Sequence, residues 1–476
     1  METNTPQNTT ETNTDHNDNN PINLNAVKTS NSTLLLIGKM FLVGFLALLL
    51  GLPLLIVQFV VKERVDRQDE VKREISQTWG GDQTIIGPVL VIPYKKYYRD
   101  NDDKIHYSIS NTYFLPDKLT VEGDLKTQIK HRNVFKVPVY QSSIDLSGTF
   151  KRPDFSQWKI SDEHILWDQG YLLIGVSEVH ALQNKTYVFW NNEKLPFRPI
   201  QHESSQYFLR NSLKSDLKNL NPQSSSYSFQ TKLQLSGSSK FKMVPVGEES
   251  SFSLQSNWPH PKFFGASLPT KHQIADSGSQ QGFQAKWQAS SLNRGFPTQW
   301  LEKEIYENHF EKGAFGVEMI NPVDNYRLAT RANKYSMLFV ALTFLTFFLL
   351  EVFNRKVRVH PIQYLFVGFS LCIFYLLLLS LSEVIGFSWA YLSGAISIVF
   401  LISFYMSRVL QSFKRALLLG GILSGLYLYL YTLLQLEDYA LLAGSLGLFL
   451  ILASIMLITR RVDWYRLSLE KSTVTN

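Results

Sequence analysis

The chain has 476 residues, 45% hydrophobic and 13% aromatic, and its formal charge is +7. A mean hydropathy of -0.07 averages a polar stretch with a cluster of long apolar runs, so a globular part with its own core and a membrane part are both expected. Residues 351–476 hold ten Lys and Arg against six acids, net +4, beside apolar runs; this reads as membrane orientation and excludes a nucleic-acid partner, which would want a basic stripe on a soluble face.

Residues 1–33 open METNTPQNTTETNTDHNDNN, offer almost nothing to bury, and read as a disordered cytoplasmic tail. The run 40–61, MFLVGFLALLLGLPLLIVQFVV, is long enough to span a bilayer. Hardly any positive charge precedes it and no small-residue cleavage site follows, so it reads as a retained anchor rather than a signal peptide. KERVDRQDEVKREISQT carries both charge signs and neither Pro nor Gly, and extends the helix outward as a solvated stalk over 62–79.

From 80 to 334 the period changes to two. Tyr227, Phe229, Leu233 and Leu235 share one side of YSFQTKLQL; Phe252, Leu254 and Trp258 do so in SFSLQSNW, and Phe283, Ala285 and Trp287 in GFQAKW. This stretch is expected to be a mostly β domain, a sandwich in outline. Five further apolar runs follow at about 335–353, 362–381, 387–407, 416–434 and 439–458, a five-helix bundle over 335–460 with a tail at 461–476. The expected fold class is therefore a polytopic α-helical membrane protein of about six spans, with a large, mostly β extracytoplasmic domain inserted after the first span.

The loops of the bundle alternate in sign. NRKVRVHP is basic, SEVIGFS has only Glu383, SRVLQSFKRA is basic, QLED is acidic and TRRVDWYR is basic. The positive-inside rule then puts both termini in the cytoplasm and residues 62–334 outside. One flank disagrees: Lys62, Arg64, Arg67, Lys72 and Arg73 follow the first span, against Lys28 and Lys39 before it. The five later loops, all short, outweigh it.

Several long stretches carry a resemblance. They are IGPVLVIP (86–93), SNWPHPKFFG with the following LP, GFQAKWQ (282–288), YRLATRANKYSMLFVALTFLTFF (326–348), HPIQYLFVGFSLCIFYLLLLSLSE (360–383) and VDWYRLSL (462–469). On these the chain resembles the CreD family of inner-membrane proteins of Gram-negative bacteria, from about residue 40 to 469. The resemblance implies one anchor, a large periplasmic domain and a C-terminal helical bundle. It also implies a role in cell-envelope integrity and envelope-stress response under two-component control, with no established enzymatic activity. The Asn/Thr-rich extension departs from the family pattern.

The sharpest local feature is SNWPHPKFFGASLP (256–269). A metal site needs convergent ligands and a nucleophile needs a base placed by the fold. The sequence neighbours of His260 are only His272 and His309, and no H-E-x-x-H or G-x-S-x-G occurs. Two prolines rigidify the segment and Trp258 continues an alternating strand into it, so a structural corner or a contact surface accounts for the pattern. The candidate contact surface is Trp258, Pro259, His260, Pro261, Phe263 and Phe264.

Glu383 is the candidate membrane carboxylate; a carboxylate at membrane depth suits proton relay, whereas one at a helix end sits in headgroup water, and Gly386 favours the helix end. Glu351 is expected to pair with Arg355 at i,i+4, and His360-Pro361 to start a helix. Gly421 and Gly425 are expected to bring helices together within the bundle, and the basic RANK (331–334) to anchor a helix at the membrane surface. The lone Cys372 excludes an intramolecular disulfide and a cysteine-based zinc site, and no catalytic, cofactor or metal residues are expected. Expected partners are the lipid bilayer, other envelope proteins, or a second copy through the bundle. The functional expectation is a non-enzymatic inner-membrane protein that supports the envelope. The alternatives are transporter-like handling of a lipid or small solute, with the outer domain as receiver, and an envelope hydrolase.

Overall fold

A computed structural model describes residues 38–201, 211–218, 220–275, 281–302, 307–320, 325–353, 359–436 and 439–460. The N-terminal tail, the C-terminal tail and most of the basic loop after residue 353 lie outside them. The chain divides into two units, residues 63–324 and residues 1–62 with 325–476. A single helix, α1 (Gly38–Trp79), starts in the second and ends in the first.

In the first unit, strands β1 (Gln83–Arg99), β2 (Ile105–Phe114), β3 (Lys118–Arg132), β4 (Phe135–Lys151), β5 (Tyr171–Val176), β6 (Tyr187–Trp190), β7 (Glu193–Pro196), β8 (Arg198–Gln201) and β9 (Asn211–Asp216) come first. Then follow β10 (Ser226–Ser238), β11 (Lys240–Met243), β12 (Glu249–Ser256), β13 (Pro261–Gly265), β14 (Lys271–Ala275), β15 (Gly282–Ser290), β16 (Gln299–Leu301), the short helix α2 (Glu307–Gly313) and β17 (Phe315–Met319). Among the described residues they form two sheets. One has nine strands, ordered β13-β17-β11-β1-β5-β9-β8 with β2 and β16 beyond β1; the other has eight, ordered β14-β15-β12-β3-β4-β10-β6-β7.

The alternation in the sequence is what packs these sheets. Along β10, Tyr227, Phe229, Leu233 and Leu235 are all buried while Ser228, Gln230 and Lys232 are exposed. One continuous core takes side chains from both sheets, as two inner faces of a sandwich must. Trp287 of one sheet stacks on Phe315 of the other at 5.4 Å between ring centroids, and Phe252 meets Phe315 edge-on at 5.0 Å. Each such buried ring stabilises by roughly 1.5–3 kcal/mol relative to exposure.

The stalk is less solvated than its charge suggests. Val71 is buried, Ser76 Oγ lies 2.7 Å from Ser238 Oγ, and Trp79 Nε1 donates to the Tyr140 carbonyl at 3.3 Å. Glu74 pairs with Arg132 at 2.5 Å. The exposed middle turns remain charged, but the end of the helix is packed on β3, β4 and β10.

The second unit holds the start of α1 with α3 (Asn325–Lys334), α4 (Ser336–Phe353), α5 (Pro361–Ile385), α6 (Phe387–Val409), α7 (Phe413–Gln435) and α8 (Ala440–Thr459). Counting α1, six of the described helices are long and apolar enough to cross a membrane. The central one is α5, half buried by its neighbours, with Tyr364, Leu371, Phe374 and Leu378 inside. Its start is a capping box: Gln363 Oε1 accepts from the His360 N–H, His360 Nδ1 accepts from the Ile362 N–H, and Pro361 opens the helix. A single residue, Gly386 with φ +81°, joins α5 to α6, a conformation that side chains other than glycine rarely adopt.

Residues 325–334 fall within the 80–334 stretch expected to be the β domain, but the chain divides before them. They form the amphipathic helix α3, which buries Tyr326, Ala329 and Ala332 in the helical unit. A ten-residue amphipathic helix is too short to register as an apolar run.

Candidate functional site

The stretch around His260 is where the chain leaves one sheet for the other. The β12 strand ends at Ser256 in the eight-stranded sheet, paired with Leu125, and β13 begins at Pro261 in the nine-stranded sheet, paired with Met319 of β17. Four residues make the crossing. Asn257 continues the pairing with its side chain: Oδ1 accepts from the Thr127 N–H at 2.7 Å and Nδ2 donates to the Thr127 carbonyl at 2.9 Å. Trp258 turns inward, only 9% exposed. Its indole N–H is shared between the carbonyls of His260 and Ile320, both at 3.1 Å, so it clamps the start of β13 to the end of β17. A buried indole N–H needs such a partner.

This burial removes Trp258 from the six-residue contact surface expected from sequence. Pro259, His260, Pro261, Phe263 and Phe264 are half-buried. Phe263 packs on Phe283 and Trp287 at 5.6 and 5.7 Å, and on His272 at 5.5 Å. Lys240 Nζ lies 5.8 Å above the Phe264 ring. Gly265 ends the stretch with φ +105°, and a Cβ there would come within 2.3 Å of the Ala314 carbonyl oxygen, so only glycine fits.

Glu383 lies two residues before the end of α5 and is half-buried rather than immersed in solvent. Its Oε1 accepts from the Tyr326 hydroxyl at 2.9 Å, and Asn325 Nδ2 donates to the Ser382 carbonyl at 2.7 Å. Both partners come from the start of α3, so this carboxylate belongs to a polar lock between two helices. Among the described residues no group of three or more His, Cys, Asp and Glu is placed to hold a metal ion.

The family described as "Inner membrane protein CreD" matches residues 35–465, across both units. The chain belongs to the CreD family. It is 32% identical over 429 residues to the inner membrane protein CreD of Escherichia coli (strain K12), covering 89% of this chain and 92% of that one. A crystal structure from Legionella pneumophila subsp. pneumophila str. Philadelphia 1, described as a "putative nutrient binding protein", matches 53% of this chain and 86% of its own. That match has 8% identity and a TM-score of 0.21, and it carries no argument.

Three polar features of this CreD-family chain have no signal in the local sequence. Glu351, expected to pair with Arg355, is held by Lys39 of α1, whose Nζ lies 2.5 and 2.7 Å from the two carboxylate oxygens and 2.9 Å from the Val359 carbonyl. Arg355 lies outside the described residues. Arg331, read as part of a surface anchor, instead donates through Nη2 to the carbonyls of Leu433 and Leu436 at 3.2 and 2.9 Å, capping α7. Positive charge is favoured at a helix C-terminus.

The third is Arg294, buried at 8% exposure, whose guanidinium donates to the Val246 carbonyl and to that of Gly247 at 2.9 Å, and lies 5.0 Å from the Phe296 ring. Burial pushes its pKa down to about 10. It fastens the turn at 246–247 to the sandwich. In sequence it sits in SSLNRGFP, a loop-like stretch where arginine reads as solvated; nothing local signals its burial.

The glycine expectation is also corrected. A Cβ at Gly421 or Gly425 would meet nothing within 4 Å. The close approaches are elsewhere: at Gly368 a Cβ would strike Leu50 Cδ1 at 2.0 Å, and at Gly420 it would strike Ser403 Oγ at 2.6 Å. Small-xxx-small spacing names a helix face but not which neighbour, if any, it meets.

Proposed function

We propose that this CreD-family membrane protein supports cell-envelope integrity and the envelope-stress response without catalysing a reaction. In this reading both termini are cytoplasmic and residues 62–334 are periplasmic. Its partners are the bilayer and other envelope proteins. Family membership supports the envelope role, and the alternating charge of the bundle loops supports the orientation. The observation that carries the non-catalytic reading is the use made of the His260 stretch. The side chains of Asn257 and Trp258 and the backbone carbonyl of His260 are committed to joining two sheets.

A second reading, handling of a lipid or small solute by the helix bundle, draws on Glu383, a half-buried carboxylate hydrogen-bonded to a tyrosine near the end of a span. Rescue of a deletion strain separates the two, scored by dye or antibiotic permeability at matched membrane abundance. The envelope reading expects Glu383→Gln and His260→Ala to rescue as well as the unaltered chain. Failure of Glu383→Gln alone would put the membrane carboxylate, and transport, first. Failure of His260→Ala alone would return chemistry to the corner.

A further inference from the structure

Helices α6 and α7 are joined by the three residues Leu410–Ser412, and along their outer side runs a groove of about 1070 Å³. It extends from Ser388 and Tyr431 at one end to Ser407 and Phe413 at the other. Ser388 to Ser407 is a rise of about 29 Å, close to the thickness of a bilayer's hydrocarbon core. The walls are almost wholly apolar, with Leu392, Phe400, Phe404 and Leu417 exposed along them. Its breadth comes from small residues. Gly420 brings the helices together against Ser403, while Gly421 and Ser424 beside it leave open space.

The end at Ser407 and Phe413 is cationic. Arg408 and Lys414, each next in sequence to a lining residue, are both exposed, and neither is in an ion pair among the described residues. Arg415 is turned back instead, its Nη1 donating to the Leu410 carbonyl at 3.3 Å. An apolar groove as long as a leaflet pair, with two exposed cations beside one mouth, suits a lipid with a negative headgroup.

We propose that this groove binds an anionic phospholipid, its acyl chains lying along α6 and α7 and its phosphate meeting Arg408 and Lys414. Each cation near the surface attracts an anionic headgroup, whereas a zwitterionic lipid offers no net charge to it. The chains contact both helices at once, which a flat helix face does not allow. A second copy seated groove to groove about a two-fold axis along the membrane normal would bring four cations to one end, and their repulsion opposes that packing. The site rests on the membrane-spanning bundle and needs neither the envelope role nor the proposed orientation.

The test is native mass spectrometry of the full chain purified in dodecyl maltoside, titrated with dioleoylphosphatidylglycerol or dioleoylphosphatidylcholine. The unaltered chain is expected to retain the glycerol lipid preferentially. Arg408→Gln with Lys414→Gln should lower that preference by roughly 30-fold while leaving the choline lipid unchanged. Gly421→Leu with Ser424→Leu fills open space, so the chain still folds, and should lower retention of both lipids. Equal retention of the glycerol lipid by all three proteins would overturn the site. So would a dimer that the groove-filling pair converts to monomer, since the groove would then be an interface between copies.

Discussion

At the scale of single residues, Trp258 and His260 stand two positions apart and do different work. Trp258 fills core space and holds two carbonyls, so Trp258→Ala should cost about 3–5 kcal/mol, the range for large aromatic deletions. His260→Ala removes a half-buried side chain and should fall within about 0.5 kcal/mol of the unaltered protein. Urea unfolding of the full chain in detergent, followed by near-ultraviolet circular dichroism, measures both; equal losses would mean the imidazole is structural too. A second residue-scale test lies at Asp117, whose carboxylate meets Lys151 Nζ at 2.5 Å, with Glu248 at 2.9 Å from the same ammonium. The Lys151 hydrogen bond holds the Asp117 carboxyl below its ordinary value of 3.8. A folded pKa below the unfolded one gives stability that is present above the unfolded value and lost as pH falls through the folded value. Asp117→Asn should therefore lower the unfolding midpoint slightly at pH 7, as an exposed pair allows. In acid the deficit should vanish. A deficit that persisted there would assign the effect to packing.

At the scale of elements, α3 is the piece whose role the sequence concealed. The apolar runs, the period-two strands and the capping residues were legible because each depends on neighbours within a turn or a strand pair. Tyr227, Phe229, Leu233 and Leu235 needed only their own spacing to be placed on one buried face. Arg331 needed Leu433 and Leu436, about a hundred residues later, and Glu351 needed Lys39, 312 residues earlier. Local pattern cannot supply such partners, and it offered Arg355 for Glu351 because i,i+4 was the only geometry available. The Arg331 cap gives a prediction at this scale. Arg331→Gln leaves the Leu433 and Leu436 carbonyls without their charged donor, at a cost of about 1–3 kcal/mol. Arg331→Lys keeps the charge but loses the planar fork, and should recover part of it. Hydrogen–deuterium exchange over 428–436 should rise in the order unaltered, Lys, Gln. If neither substitution moves it, the last turn of α7 is held by packing alone.

At the scale of the whole molecule, the two signals for orientation still oppose each other, and the chain's single cysteine makes them separable. Four loops of the bundle and the segment after its last helix alternate basic and acidic, whereas the flank after the first span carries Lys62, Arg64, Arg67, Lys72 and Arg73. Orientation is set by Lys and Arg near the span ends, and acids count little, so Glu63, Asp66 and Asp69 do not cancel that flank. The proposed orientation rests on number: reversing the molecule to satisfy one flank would move every basic segment of the bundle to the other side, at a cost repeated in each hairpin. Part of the stalk also serves the β domain, since Glu74 pairs with Arg132 and the end of the helix is packed. Cys372 is buried, so a Cys372→Ala background gives a clean label-free chain. Leu268→Cys, at a side chain 64% exposed in the β domain, should react with a membrane-impermeant maleimide in spheroplasts. Gln411→Cys, at the exposed residue of the turn between α6 and α7, should react only after the membrane is opened. The reverse pattern would show that the first flank governs insertion, and the β domain would then be cytoplasmic. Partial labelling of both positions in spheroplasts would mean that neither signal wins and the chain inserts both ways.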